Sequence, residues 1–236
     1  MKPFQFKEFT IAQDKTAMKI GTDGVLLGAW ADLSYQPDSI LDIGTGTGLI
    51  ALQLAQRCDA LTIDALEIEP DAYEQAVENF ENSDWGDRLF CYHASLQEFT
   101  EEIDEKYDLI VSNPPFYNDT FKDLEDKRAA ARHTFNLSFK ELLSSTAKLL
   151  SSSGNCAFII PFKEESSFLE TAGNYGLFPQ RITRVRGNIK TPVKRSLLQL
   201  GFDQSETIIA ELAIEIERHV YTEPYKALVK DFYLNM

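Results

Sequence analysis

A chain of 236 residues, 44% hydrophobic with 16 Phe and 9 Tyr, can bury a large core as one α/β domain, with or without a small extension. Its formal net charge of −14 and pI near 4.7 argue against non-specific nucleic-acid binding, which rests on neutralising phosphates. No apolar run reaches the roughly 18 residues of a membrane span, and the opening MKPFQFKEFTIAQDK lacks an apolar signal core. A cytoplasmic protein without membrane association is expected. Cys58, Cys91 and Cys156 are odd in number and set in apolar surroundings, as reduced core residues are. His93, His133 and His219 show no metal-ligand spacing, so no metal is expected.

Apolar runs and helical patterns alternate from residue 39 to about 175. Residues 40–43 read as a strand, 49–57 as a helix and 61–68 as a second strand. A second helix spans 70–81, with Tyr73, Ala76, Val77 and Phe80 on one side and Pro70 at its first position. Residues 88–92 and 109–111 are further strands. Residues 139–150 form a helix, SSSG at 151–154 a turn and 156–160 another strand. This rhythm predicts a parallel sheet with helices on both faces. Stretches 176–185, 196–202 and 207–216 read as longer strands, best placed as an antiparallel addition at the sheet edge, and 221–233 as a short docking helix. The polar stretch 119–136 shows no clear periodicity.

The first strand runs into ILDIGTGTGLIAL (40–52). Gly44, Gly46 and Gly48 allow a tight turn and close backbone approach, and the following helix aims its N–H groups at whatever lies there. The spacing is G-x-G-x-G, so Leu49 takes the place of the third glycine of a dinucleotide fingerprint. Asp42 beneath the turn would repel a pyrophosphate but attract a cation. S-adenosylmethionine has a sulfonium, an ammonium and no phosphate. Glu67, ending the next strand in DALEIEP, is placed to hold ribose hydroxyls.

DLIVSNPPFY (108–117) takes a buried strand straight into Asn113, Pro114, Pro115 and Phe116. A strand terminator with an exposed turn would explain the prolines alone. A stronger reading follows from the place of the motif at the same sheet edge as the glycine loop. An exocyclic amine is a poor nucleophile because its lone pair is delocalised. The Asn113 side-chain oxygen and the Pro114 carbonyl can accept its two N–H bonds and favour the charge that develops on methylation, and Asn113 is also expected to border the cofactor. Phe116 can stack on the planar group. Pro115 adds rigidity.

Together, DIGTGTG, LEIE and NPPF resemble class I S-adenosylmethionine-dependent N-methyltransferases, a Rossmann-like fold with a mostly parallel seven-stranded sheet and an antiparallel edge. The motif alone leaves adenine, guanine-N2 and protein-glutamine targets open. FKEFTIAQDKTAMKIGTDGVLLGAW (6–30), SDWGDRL (83–89), RAAARHT (128–134) and YKALVKDFYLNM (225–236) are similar to blocks of the bacterial tRNA1(Val) (adenine-37-N6)-methyltransferase family. That resemblance implies methylation of the adenine 3′ of the anticodon. It implies that Gly21, Thr22 and Asp23 lie near the methionine portion of the cofactor, and it puts Ser95 where many amino-methyltransferases have an aspartate facing the cofactor's adenine amine.

The organisation expected is one domain over 1–236. A segment 1–38 shapes the cofactor and substrate site, 39–175 is the cofactor-binding core, and 176–236 supplies edge strands and a C-terminal helix. The strip RITRVRGNIKTPVKR (181–195) holds six basic residues and no acidic one. Arg184, Arg186, Lys190, Lys194 and Arg195, with Arg128 and Arg132, are the candidate face for a tRNA anticodon stem-loop, bound by a monomer. Guanine-N2 methylation of ribosomal RNA and glutamine N5-methylation are the rival enzymatic readings. A glutamine enzyme needs a partner-docking module, and only 38 residues precede the core read as 39–175. A non-enzymatic RNA-binding protein would leave Asn113, Asp42 and Glu67 without a task. An aminopropyl transferase would want an acidic residue near Asn113.

Overall fold

A computed structural model describes residues 2–16, 19–114 and 137–236. Pro115, Phe116, Arg128 and Arg132 lie outside the described residues.

A short antiparallel pair, β1 (Phe4–Gln5) and β2 (Thr10–Ile11), precedes α1 (Thr22–Trp30). The alternating region then gives β3 (Ser39–Ile43), α2 (Leu49–Arg57), β4 (Thr62–Glu67), α3 (Pro70–Glu81) and β5 (Leu89–His93). It continues with α4 (Leu96–Glu102), β6 (Tyr107–Ser112), α5 (Phe139–Leu149) and β7 (Leu150–Pro161). After a 3-10 turn at Phe162–Glu164 come α6 (Glu165–Gly173), β8 (Phe178–Asn188), β9 (Arg195–Gly201), β10 (Ile208–Glu217), β11 (Val220–Tyr221) and α7 (Glu223–Val229).

One sheet runs β11-β10-β8-β9-β7-β6-β3-β4-β5. Strands β5, β4, β3, β6 and β7 are mutually parallel, and β9 lies antiparallel between β7 and β8. The chain moves outward from β3 through β4 to β5, then returns to place β6 on the other side of β3. Strand order reverses there, and open α/β sheets hold their ligands at the carboxyl end of such a reversal.

The strands of this centre are apolar on both faces, as burial between helices requires. In β6, Leu109 and Val111 face α1 and α2, whereas Tyr107 and Ile110 face α4 and α5. α4 and α5 each start on a capping box, Ser95 with Glu98 and Ser138 with Glu141. The N- and C-terminal blocks meet on the α1/α2 face. The Lys7 N–H donates to the Phe232 carbonyl at 2.8 Å, and the Phe6 ring packs near Phe9 and Tyr233.

Two features differ from the sequence reading. Among the described residues the sheet has nine strands, and β10 is parallel to β8 although it joins an antiparallel edge. Residues 202–207 cause this by carrying the chain from the end of β9 past the start of β8 to its far side. β7 begins at Leu150, and the serine-rich turn is a bulge within it: Tyr107 pairs with Leu150, but Leu109 pairs with Asn155. Gly154 permits the bulge, because a Cβ there would lie 2.9 Å from the Asp108 carbonyl oxygen. Among the described residues no helix is long and apolar enough to cross a membrane, and no group of His, Cys, Asp and Glu gathers to hold a metal.

Candidate active site

The glycine loop leaves β3 at the reversal point. The Gly44 and Thr45 N–H groups both donate to the Leu66 carbonyl at 2.9 Å, which ties the turn to the end of β4. Gly44, Gly46 and Gly48 all have positive φ, at 71°, 60° and 81°. The reasons for glycine differ between them. A Cβ on Gly48 would sit 2.5 Å from the Phe80 ring, so this glycine lets α2 and α3 close on each other. A Cβ on Gly44 or Gly46 would meet nothing within 4 Å, so these two face open space, where a ligand can rest on bare backbone.

Asp42 is fully buried beneath this loop. One carboxylate oxygen accepts the Thr45 hydroxyl at 2.6 Å; the other, Oδ1, has no hydrogen-bond partner among the described residues. Burial, with the Glu67 charge adding to it, pushes the Asp42 carboxyl up to about 7. An orphaned buried oxygen below an open glycine turn suits a cationic ligand above. Glu67 is fastened by three backbone donors. Gly46 N–H reaches one oxygen at 2.8 Å, and Ile68 and Glu69 N–H reach the other at 2.9 Å. Held this way, its remaining lone pairs suit hydroxyl donors such as those of a ribose. The donor set fits a nucleoside that carries positive charge.

Asn113 and Pro114 follow β6 immediately, with Asn113 half-buried and Pro114 buried. The Ser112 hydroxyl donates to the Ile43 carbonyl at 2.8 Å, and Ser112 lies in register with Ile43. The start of NPP and the start of the glycine loop are therefore neighbours at the ends of adjacent strands. Glu67, in register with His93, ends the next strand over.

Gly21 caps α1 in an extended conformation and Thr22 opens the helix. Asp23 accepts from Arg195 Nε at 2.7 Å. Because β9 is antiparallel to β7, the start of β9 at Arg195 lies at the carboxyl edge of the parallel strands, and so therefore does Asp23. Ser95 is the N-cap of α4. Its hydroxyl donates to Glu98 at 2.7 Å and accepts the Glu98 N–H at 3.2 Å, which leaves one lone pair for anything else.

The basic strip is less bare than its composition implies. Arg181 lies 3.9 Å over the Trp30 ring and donates to the Trp30 carbonyl. Arg184 pairs with buried Glu165 at 2.7 Å, and Arg186 with Glu211 at 2.5 Å. Lys190 and Lys194 stand exposed around the β8–β9 turn. These two arginine charges are neutralised by carboxylates remote in sequence, which a local charge count does not reveal.

Sequence reasoning missed Asn79 and Gln75. Asn79 donates to the carbonyls of Thr47 and Ala12 and accepts the Ala12 N–H, while Gln75 accepts the Lys15 N–H at 3.0 Å. Together they strap the N-terminal segment across α3 onto the glycine loop. The available signal was two uncharged amides four apart on the helix expected over 70–81; the structure buries both.

The strand order, the reversal at β3/β6, the glycine loop and the carboxylate at the end of β4 define a class I S-adenosylmethionine-dependent methyltransferase. A solved structure described as a predicted O-methyltransferase from Agrobacterium tumefaciens shares the fold, with a TM-score of 0.65 at 19% identity over 89% of this chain and 96% of its own. Residues 21–161 match the model of the methyltransferase small domain. A Christiangramia forsetii protein named tRNA1(Val) (adenine(37)-N6)-methyltransferase is 61% identical, covering 100% of this chain and 99% of its own. A Flavobacterium johnsoniae protein of the same name is 58% identical over 99% of this chain and 100% of its own. The chain belongs to this methyltransferase family.

Proposed function

We propose that the protein transfers a methyl group from S-adenosylmethionine to N6 of the adenine 3′ of the anticodon, position 37, in tRNA1(Val). In this reading it acts in the cytoplasm as a monomer of one domain on the anticodon stem-loop. The observation that carries the reading is the position of Asn113 and Pro114 beside the glycine loop, fixed by the Ser112–Ile43 hydrogen bond. Likeness to the named relatives along the whole chain supports the choice of substrate.

The cofactor supplies an electrophilic methyl on a sulfonium. Gly44 and Gly46 offer it bare backbone, Gly48 lets α2 and α3 close beside that loop, Glu67 binds its ribose hydroxyls, and Gly21, Thr22 and Asp23 border its methionine portion. Asp42, being wholly buried, acts through its charge and through its hold on Thr45. Ser95 keeps one lone pair for the adenine amine of the cofactor. Asn113 Oδ1 and the Pro114 carbonyl accept the two N–H bonds of the target N6 and stabilise its growing positive charge. Pro115 stiffens the turn and Phe116 stacks on the target base. No strong base is required, because the nitrogen becomes acidic once it is methylated. Lys190 and Lys194 with Arg128 and Arg132 attract the RNA backbone, while Arg184, Arg186 and Arg195 contribute through their paired, oriented guanidinium groups.

The test is incubation with labelled S-adenosylmethionine and total tRNA from a strain lacking the protein, followed by nucleoside analysis. Labelled N6-methyladenosine is expected. Label in another nucleoside or in protein would overturn the reading.

A further inference from the structure

β7 carries Phe158, Ile159 and Ile160, all fully buried, and then ends at Pro161 with a ring that is not: Phe162 is 38% exposed. Its backbone is held in place. Phe162 N–H donates to the Lys194 carbonyl at 3.0 Å, and the ring belongs to a 3-10 turn between Pro161 and α6. Arg184 lies beside it, with its guanidinium carbon 5.5 Å from the ring centroid. That guanidinium is itself fixed. Arg184 Nη2 and Nε donate to Glu165, and the Ser196 hydroxyl donates to its second carboxylate oxygen at 2.5 Å. Glu165 is only 6% exposed, so the pair is a built element and not a surface accident.

The place of this shelf gives it a purpose. Ser112 is in register with Phe158, and four further residues at roughly 3.3 Å each put Phe162 about 10–13 Å beyond the end of β6. It therefore overhangs the same carboxyl edge as Asn113. An adenine can reach Asn113 only by leaving its stack, and its neighbours then lose a stacking partner. A rigid ring beside an oriented guanidinium plane is what an unstacked base accepts in exchange.

We infer that Phe162 and Arg184 form a stacking shelf for an unpaired base flanking the methylated adenine, with Glu165 and Ser196 as positioning residues. The inference rests on the reading of the substrate as RNA. It assigns these residues to the neighbouring nucleotide and not to the target.

The experiment uses the full chain with two synthetic anticodon stem-loop RNAs, each carrying a fluorescent purine analogue on one side of the target adenine. Binding, fluorescence change, S-adenosylmethionine affinity and melting temperature are measured for wild type, Phe162→Ala and Phe162→Tyr. In wild type, one of the two analogues should be quenched on binding. Phe162→Ala should lose that quench and about tenfold or more in RNA affinity, and Phe162→Tyr should keep both. Cofactor affinity should stay the same in all three. Equal RNA binding by wild type and Phe162→Ala, or a deficit in Phe162→Tyr as large as in Phe162→Ala, overturns the shelf. So does a wild type that binds neither RNA. A wild type that shows the Phe162-dependent quench yet leaves no N6-methyladenosine in tRNA would instead refute the proposed reaction and leave the shelf standing.

Discussion

Asn79 and Ala12 exchange two hydrogen bonds, at 2.8 and 3.0 Å, as one strand does with another. The Asn79 amide also donates to Thr47 at 2.8 Å, inside the glycine loop. One side chain thus couples the N-terminal segment to the proposed cofactor cradle. Asn79→Ala would strand a buried carbonyl and remove three bonds, costing about 2–3 kcal/mol of stability. Hydrogen exchange should speed up at the Ala12 amide, and S-adenosylmethionine should bind more weakly. Unchanged protection at Ala12 would show that the segment is held by its aromatic packing instead.

Asp42 sets a pH dependence. Its folded-state carboxyl lies at about 7 against an ordinary 3.8, so the folded protein binds the proton more tightly than the unfolded chain does. Stability from this group is therefore lost as pH rises from about 4 through 7, on the order of 4 kcal/mol in all. Asp42→Asn should raise the melting temperature above pH 7 relative to wild type, while weakening cofactor binding. A cationic ligand favours ionised Asp42, so wild-type binding should release protons near neutrality, readable by calorimetry in buffers of different ionisation enthalpy. The variant should release none at this site.

Gly46 and Gly48 separate strain from ligand contact. Gly48→Ala forces a Cβ to within 2.5 Å of the Phe80 ring at a φ of 81°, and should cost about 2–4 kcal/mol in thermal or denaturant unfolding. Gly46→Ala meets open space and should cost only the backbone strain, about 1–2 kcal/mol. Its effect should fall on cofactor affinity. A Gly46→Ala protein that binds the cofactor like wild type would mean that nothing rests on that face of the loop.

Much of the centre was legible because its signals are local. The apolar run 109–111, the glycines after β3 and Pro70 opening α3 each state their structure within a few residues. What escaped depends on interactions between distant segments. Nothing within 207–216 says which neighbour β10 will choose, since that follows from how the chain crosses β8. The salt bridge between Asp23 and Arg195 joins residues 172 positions apart, so the charge of the strip could be counted but not its neutralisation. The N-terminal strap was hidden for the same reason: Gln75 and Asn79 matter only once residues 12–15 lie against them.

Asn113→Ala should nearly abolish turnover, lowering kcat about 100-fold or more, because in the proposed role the missing acceptor acts mainly as charge develops on the target nitrogen. Cofactor affinity should change little, since Glu67 and the glycine loop are held by hydrogen bonds that do not involve Asn113. Equilibrium binding beside single-turnover kinetics separates the two. A drop in cofactor affinity as large as the drop in turnover would place Asn113 in the cofactor cradle instead.

The positive charges proposed to meet RNA can be tested without disturbing the fold, provided the paired arginines are spared. Arg184→Glu would set a second carboxylate against buried Glu165. Leaving that charge unpaired costs about 3–5 kcal/mol, so weaker RNA binding would be mixed with unfolding. Lys190 and Lys194 are exposed, and the β8–β9 turn is held by backbone groups. Lys194 N–H donates to the Val185 carbonyl and Thr191 N–H to the Asn188 carbonyl. Lys190→Glu with Lys194→Glu should therefore leave the melting temperature nearly unchanged. If both ammonium groups meet phosphate, RNA affinity should fall, and the slope of log affinity against log salt should flatten by about one for each phosphate no longer neutralised. Methyl transfer at saturating RNA should persist, since neither lysine belongs to the proposed catalytic arrangement. An unaltered salt slope in the double variant would move the phosphate-binding charges off this turn.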